Sequence, residues 1–392
     1  MKPVYVFGSK SKPTCELNTT DSFVTNAVNL CLMLKDDFDV TLVGLPGSGK
    51  GCPGNPDEGD LPAAAQAGLG VKVMTWDQAL PELRAEPDTA IVCVTGPDHL
   101  ADALQLPQTI CEPTRGYDRP VFTRHIAFPS WAWLHYHVGR HGAPDGWQDW
   151  RMIPHTIVPE RFIYREKKQD FVLFLGRLTH GKGLHIAIEA CRLALGNAGQ
   201  RSVTTGRNVR TEAACENGLV GPPGRAGGAF ADTPTARSVP ANLCGLADLR
   251  LVVAGTHHGP ESDELLDLGR QALGSAFEYV GFADYWKRRE LLADAKALMY
   301  PTPALEPFGY TVLEANVSGT PALVSNWGAF TETVQNGVNG FRCRDAAGLA
   351  AALGELDRLT HAACRSSAVS RFGLTTCGTA MCRLLLSRGG AT

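Results

Sequence analysis

The stretch FVLFLGRLTHGKGLHIAIEA, residues 171–190, decides how this chain is read. Its first five residues form an unbroken apolar run, which suits a strand covered on both faces rather than one with a wet side. A loop with Arg177 and Lys182 follows the strand, and a helical pattern comes after it. Strand, turn and helix in this order make half of a βαβ unit. Short apolar runs of the same kind recur at 4–7, 39–43, 90–94, 251–253, 297–300 and 322–325, with helical patterns between them. The fold class is α/β, with parallel sheets sandwiched by helices.

A chain of 392 residues exceeds one ordinary core and predicts two domains with a cleft between them. The break is expected at 159–169, where PERFIYREKKQ concentrates charge just before the strongest strand. This divides the chain into 1–165, 166–365 and a terminal segment, 366–392, whose helical pattern at 375–387 is expected to pack back across the junction. Residues 196–247 break the rhythm: they are rich in Gly, Ala, Arg, Ser, Thr and Pro, and GPPGRAGGAF has neither period. Such a stretch predicts a disordered insertion, or else a loop that binds a partner or guides an acceptor.

With 44% hydrophobic and 20% charged residues, the composition is that of a soluble globular protein. A formal net charge of −3 argues against a nucleic-acid surface and leaves room for a local basic pocket. No stretch has the 18 or more apolar residues of a membrane span, so a cytoplasmic chain without a transmembrane segment is expected. The 12 cysteines contain no CxxC pair and read as reduced and structural. No metal site is expected: His135 and His137 in WAWLHYH, and His257 with His258, lack further clustered ligands in the sequence. WAWLHYH reads chiefly as an amphipathic packing helix.

GLPGSGK, residues 44–50, satisfies the G-x4-G-K part of a phosphate-cradling P-loop and follows a strand. Gly51 then stands where a hydroxyl would hold magnesium, and Cys52-Pro53-Gly54-Asn55-Pro56 cannot open the required helix. The segment reads as a post-strand turn, or as a loop near the cleft whose amides touch ligand.

Three segments of the second half should converge on the carboxyl edge of one parallel sheet, where open α/β folds bind ligands. The loop after the 171–175 strand brings Arg177 and Lys182, two cations suited to the growing charge of a diphosphate leaving group. The segment EPFGYTVLE sets Glu306 and Glu314 on either side of a loop-to-helix junction, with Pro307 and Gly309 fixing the turn. Its helix, expected at 310–318 and closed by Gly319, would aim free amides at an anion. Both carboxylates suit the hydroxyls of a sugar nucleotide, the alternative being a solvated helix face. SNWGAFTE, residues 325–332, would add a further strand end and helix start around the same ligand.

FLGRLTHGKGLHIAIEA, EPFGYTVLEANVSGTP and NWGAFTETVQNGVNGFRC resemble the donor-binding half of the family 4 retaining glycosyltransferases, of the GT-B fold. The resemblance implies two Rossmann-like parallel-sheet domains facing a central cleft. It implies that Arg177 and Lys182 bind the donor diphosphate, that Glu306 meets the transferred sugar and that Glu314 meets the ribose. It further implies donor contacts from Phe308, Gly309 and Tyr310, from Gly255, Gly281 and Phe282 around the base, and from Gly8 and Ser9. In the first half a histidine common in the family is not clearly present. Glu112 in CEPTRGY stands in its place, and Tyr117 and His135 join it as acceptor-side candidates.

The resulting expectation is transfer of a glycosyl unit, with retention, from a nucleoside-diphosphate sugar to a glycan or other hydroxyl-bearing acceptor, with no metal or other cofactor. The leaving diphosphate would itself help take the acceptor proton. The alternatives are a catalytically silent sugar-nucleotide binder and a P-loop NTPase, neither of which accounts for all three second-half motifs.

Overall fold

The computed structural model describes residues 1–8, 22–45, 48, 69–94, 98–99, 101, 105–113, 115–119, 123, 125–201, 246 and 248–386. Two sheets, each parallel throughout, organise these residues. The first runs β3-β2-β1-β4-β5-β6-β7, built from β1 (Lys2–Phe7), β2 (Phe38–Val43), β3 (Lys72–Met74), β4 (Ala90–Cys93), β5 (Thr109–Glu112), β6 (His125–Phe128) and β7 (Arg151–Met152). The second runs β10-β9-β8-β11-β12-β13, built from β8 (Gln169–Leu175), β9 (Arg250–Ala254), β10 (Phe277–Tyr279), β11 (Ala295–Tyr300), β12 (Ala322–Ser325) and β13 (Gly340–Cys343). Both orders reverse direction once, between β1 and β4 and between β8 and β11, and such a reversal opens a crevice at the carboxyl ends of the strands.

Burial explains why the central strands read clearly. Residues 171–175 are all buried: Val172 and Phe174 pack into the core on one face of their sheet, Phe171, Leu173 and Leu175 into the core on the other. Removing a large apolar side chain from water contributes roughly 1.5–3 kcal/mol each, so a strand covered twice gains along its whole length. The strands absent from the sequence reading are short ones, such as Lys72–Met74 and Arg151–Met152, too brief to show a period.

Helices α1 (Ser22–Leu34), α2 (Trp76–Ala85) and α3 (Trp131–His141) accompany the first sheet. Around the second lie α4 (Leu184–Arg201), α5 (Pro260–Leu273), α6 (Tyr285–Asp294), α7 (Tyr310–Val317), α8 (Phe330–Thr333), α9 (Ala346–Leu353) and α10 (His361–Phe372). The last helix, α11 (Leu374–Leu386), returns to the first sheet, where Cys377, Met381, Cys382, Leu384 and Leu385 share a core with Val4, Val28 and Leu34. The crossing is pinned where the Ile157 amide and the Thr156 hydroxyl both donate to the Phe372 carbonyl, each at 2.8 Å.

The helix expected to stop at Leu195 continues to Arg201, so 196–201 belong to it and not to an insertion. Its backbone is still forming i to i−4 bonds there, and neither Gly196 nor the small residues after it block a helix. Residues 202–245, most of the expected insertion, lie outside the described residues, as do Ser9 and most of the 44–56 loop, including Lys50. Among the described residues, no helix is long and apolar enough to cross a membrane.

Candidate active site

A cavity of about 750 Å³ opens at the β8/β11 reversal, between the two sheets. Leu175, Gly176 and Arg177 reach it from the end of β8, and Tyr300 with Ala304, Leu305 and Glu306 from the end of β11. Thr25, Asn26, Gly116 and His155 close it from the first half of the chain.

Local geometry at the cavity depends on glycine. Gly183, just after Lys182, has φ +82°, and a Cβ there would stand 2.2 Å from the Pro301 carbonyl oxygen. The start of α4 can therefore approach the end of β11 only without a side chain, which brings Lys182 across to Glu306. Lys182 Nζ stands 2.6 Å from Glu306 Oε2, with both side chains mostly buried. Arg177 is exposed and its guanidinium, close enough to act on the Tyr300 phenol, makes no hydrogen bond or ion pair among the described residues, so two cations line one wall and only Lys182 is paired with a carboxylate. Gly309 has φ +89° and opens α7, whose amino end no side chain among the described residues caps. That amino end, Gly309 with Tyr310 and Thr311, lines the cavity.

Glu314 lies one turn into α7, almost fully buried, and lines the cavity. Burial pushes its carboxyl above the usual range, and the guanidinium of Arg288, which donates to Oε2, pulls it back. Arg288 stands on α6 and also lines the cavity; no motif in the sequence marks it. Burial likewise raises the Tyr300 phenol well above its ordinary value, so it remains a neutral wall beside Glu306.

From the first half, His155 stacks on Tyr310 with ring centroids 4.6 Å apart and meets Phe308 edge-on at 4.9 Å. Burial pushes the His155 imidazole down to about 3, so it is neutral at physiological pH. The Tyr310 hydroxyl donates to Asn26 Oδ1 on α1, which ties the start of α7 to the first sheet's helices. Neither His155 nor Asn26 stands in a recognisable pattern, so only the fold reveals them.

Of the residues singled out in the sequence, Arg177, Lys182, Glu306, Phe308, Gly309, Tyr310, Glu314, Gly255 and Phe282 all line this one cavity. Gly281, with φ +80°, sits beside Phe282 without lining it. Gly8 follows β1, where its amide donates to the Val43 carbonyl and its own carbonyl lies 2.7 Å from His99 Nε2. The acceptor-side candidates are placed differently. Glu112 is fully buried and accepts from Arg115 Nη1 at 2.7 and 2.8 Å and from the Tyr117 hydroxyl, so neither carboxylate nor phenol lines the cavity. Desolvation is what the Arg115 pairing offsets there, an arrangement that organises the loop instead of exposing a reactive group. His135 is exposed on α3, beside Trp131 and away from the cavity lining.

Residues 236–358 match the family described as glycosyl transferases group 1. A 129-residue stretch is 39% identical to a glycogen synthase of Mycobacterium tuberculosis, covering 32% of this chain and 30% of that enzyme. The similarity to this curated relative thus spans less than a third of its length. The whole chain superimposes on AviGT4, a glycosyltransferase of avilamycin A biosynthesis, with a TM-score of 0.65 at 21% identity, covering 100% of this chain and 99% of the other. Anabaena HepE, in complex with UDP and glucose, gives a TM-score of 0.64 at 14% identity, covering 99% and 100%. The fold is GT-B, and the resemblance to group 1 glycosyltransferases that the motifs carry is borne out.

Proposed function

We propose that the chain is a retaining glycosyltransferase that takes its sugar from a nucleoside-diphosphate donor. The observation that carries this reading is the Lys182–Glu306 contact beside Arg177, set where the second sheet reverses strand order. Two cations and the open amino end of α7 suit a diphosphate, and they are in place before charge develops on it. They meet that charge without a divalent ion, so transfer proceeds with the diphosphate neutralised by side chains and amides. Glu306 accepts from the hydroxyls of the transferred ring, while Glu314, held by Arg288, accepts from the ribose. Phe282, half exposed at the mouth, offers a face to the base.

Retention follows if the acceptor hydroxyl attacks on the face that the diphosphate leaves, its proton passing to a departing phosphate oxygen. The acceptor then enters from the side of Asn26, Gly116 and His155. The UDP bound in Anabaena HepE makes uracil the first base to try. The test is a thermal-shift series with UDP, GDP, ADP and their sugars, followed by a product assay with the donor that stabilises most. Stabilisation by one nucleotide with detectable donor turnover is expected. Binding without any hydrolysis or transfer would replace this reading with that of a silent sugar-nucleotide binder.

A further inference from the structure

We propose that the first domain binds a divalent ion of the zinc type through Asp118, His137 and His141. The sequence sets two histidines one turn apart in HYHVGRH, on α3, and the fold brings Asp118 to them from the loop after β5. One ligand atom from each of the three lies within 4.8 Å of the others. The expectation that His137 lacks further clustered ligands is thereby corrected: the missing carboxylate is 19 positions away in sequence and adjacent in space.

Two independent features make this more than a chance grouping. His137 is fully buried, yet among the described residues neither ring nitrogen has a hydrogen-bond partner. Leaving a buried polar group unpaired costs about 1–3 kcal/mol, and such groups in native folds call for an explanation. Coordination to a metal supplies one. The second feature is the setting of Asp118. Its Oδ2 is held by the Tyr136 hydroxyl at 2.9 Å and by Arg140 Nε at 2.8 Å, which turns Oδ1 toward His141 Nε2 at 2.6 Å. A carboxylate whose far oxygen is fixed by outer partners is how metal sites orient their ligands. Arg140 offsets part of the carboxylate charge, so the two imidazoles carry much of the affinity. Two imidazoles and one carboxylate suit zinc, with one position left for water.

None of the three residues lines the donor cavity, so the ion is separate from the diphosphate. Its effect is on the loop. Residues 115–119 supply Gly116 to the cavity wall and Arg115 to the buried Glu112 pair. An ion clipped between this loop and α3 would fix that wall.

The experiment uses the full chain made without a polyhistidine tag, stripped with a chelator and titrated with zinc chloride by calorimetry. One equivalent is expected, with a matching rise in melting temperature. Asp118→Asn and His141→Ala lie at a partly exposed edge and should fold, yet bind about 10-fold more weakly or worse, with Tyr136→Phe weaker by a smaller factor. Replacing His257 and His258 with alanine should leave uptake unchanged. The proposal is overturned if the wild type takes up no zinc, or if the Asp118→Asn/His141→Ala double variant takes it up with the same stoichiometry and affinity.

Discussion

Lys182 and Glu306 stand 124 positions apart in the chain, and their charged atoms lie 2.6 Å apart across the cavity. A carboxylate that occupies the cation before any ligand arrives also repels a diphosphate. Glu306→Ala should therefore hold bare nucleoside diphosphate as tightly as the wild type or more so, while losing discrimination between donor sugars. Calorimetry on the diphosphate and on several donors, with Lys182→Ala and the double variant completing the cycle, should show coupling of about 0.5–3 kcal/mol. Weaker binding of the bare diphosphate in Glu306→Ala would sink the assignment of this carboxylate to the sugar.

Arg177 is exposed and has no hydrogen bond or ion pair to lose among the described residues, so Arg177→Ala should leave the melting temperature nearly unchanged. Its turnover should fall by roughly 100-fold, the usual consequence of removing a preplaced donor to developing charge. Steady-state kinetics decide the point: an effect confined to KM would place Arg177 in ground-state binding instead.

Arg288→Ala leaves Glu314 buried without its counter-charge, a change that costs about 3–5 kcal/mol when an ion pair is truly enclosed. Glu314→Gln, which removes the charge and keeps the shape, should be milder and should raise donor KM with little change in kcat. Denaturant unfolding of the two variants separates them. Equal stability losses would mean that the pair is solvent-screened.

Glu332 on α8 accepts from the Trp131 and Ala132 amides at 2.9 and 2.8 Å, so a carboxylate from one domain joins the Ser130 cap at the amino end of a helix from the other. Glu332→Ala should cost about 1 kcal/mol, as losing a helix cap does. Small-angle scattering should show a wider spread of domain orientations. An unchanged profile would assign the anchoring to other contacts between the halves, such as the Tyr310–Asn26 and Ser130–Pro307 bonds.

His155 sets a pH dependence whose sign follows from its burial. The folded imidazole titrates near about 3 and the unfolded one near 6.5, so between those values the unfolded chain binds a proton that the folded chain does not. Stability is complete above 6.5 and is lost as pH falls toward 3. His155→Phe preserves the ring stack on Tyr310, and its urea midpoint should shift less between neutral pH and about pH 5 than that of the wild type. Parallel shifts would assign the acid loss to other groups.

The sequence by itself determined whatever is local or periodic. The 171–175 run announced a strand buried on both faces, and the observed β8 extends it by two residues, Gln169 and Asp170. Gly309, at positive φ, marked the turn that opens α7. The order of the second-half motifs was enough to gather Arg177, Lys182, Glu306 and Glu314, because parallel strands bring their carboxyl ends to one edge. Only the tertiary structure decided which groups those residues meet. Arg288 pairs with Glu314, His155 stacks on Tyr310, and Asp118 joins His137 and His141 through contacts between elements that no sequence period connects. The same holds for Glu112, whose place in the chain suggested an acceptor-side role and whose burial against Arg115 gives it a partner inside the fold. A side chain's type and spacing are encoded along the chain. Its charge state and its neighbours depend on what folding removes from water and sets beside it.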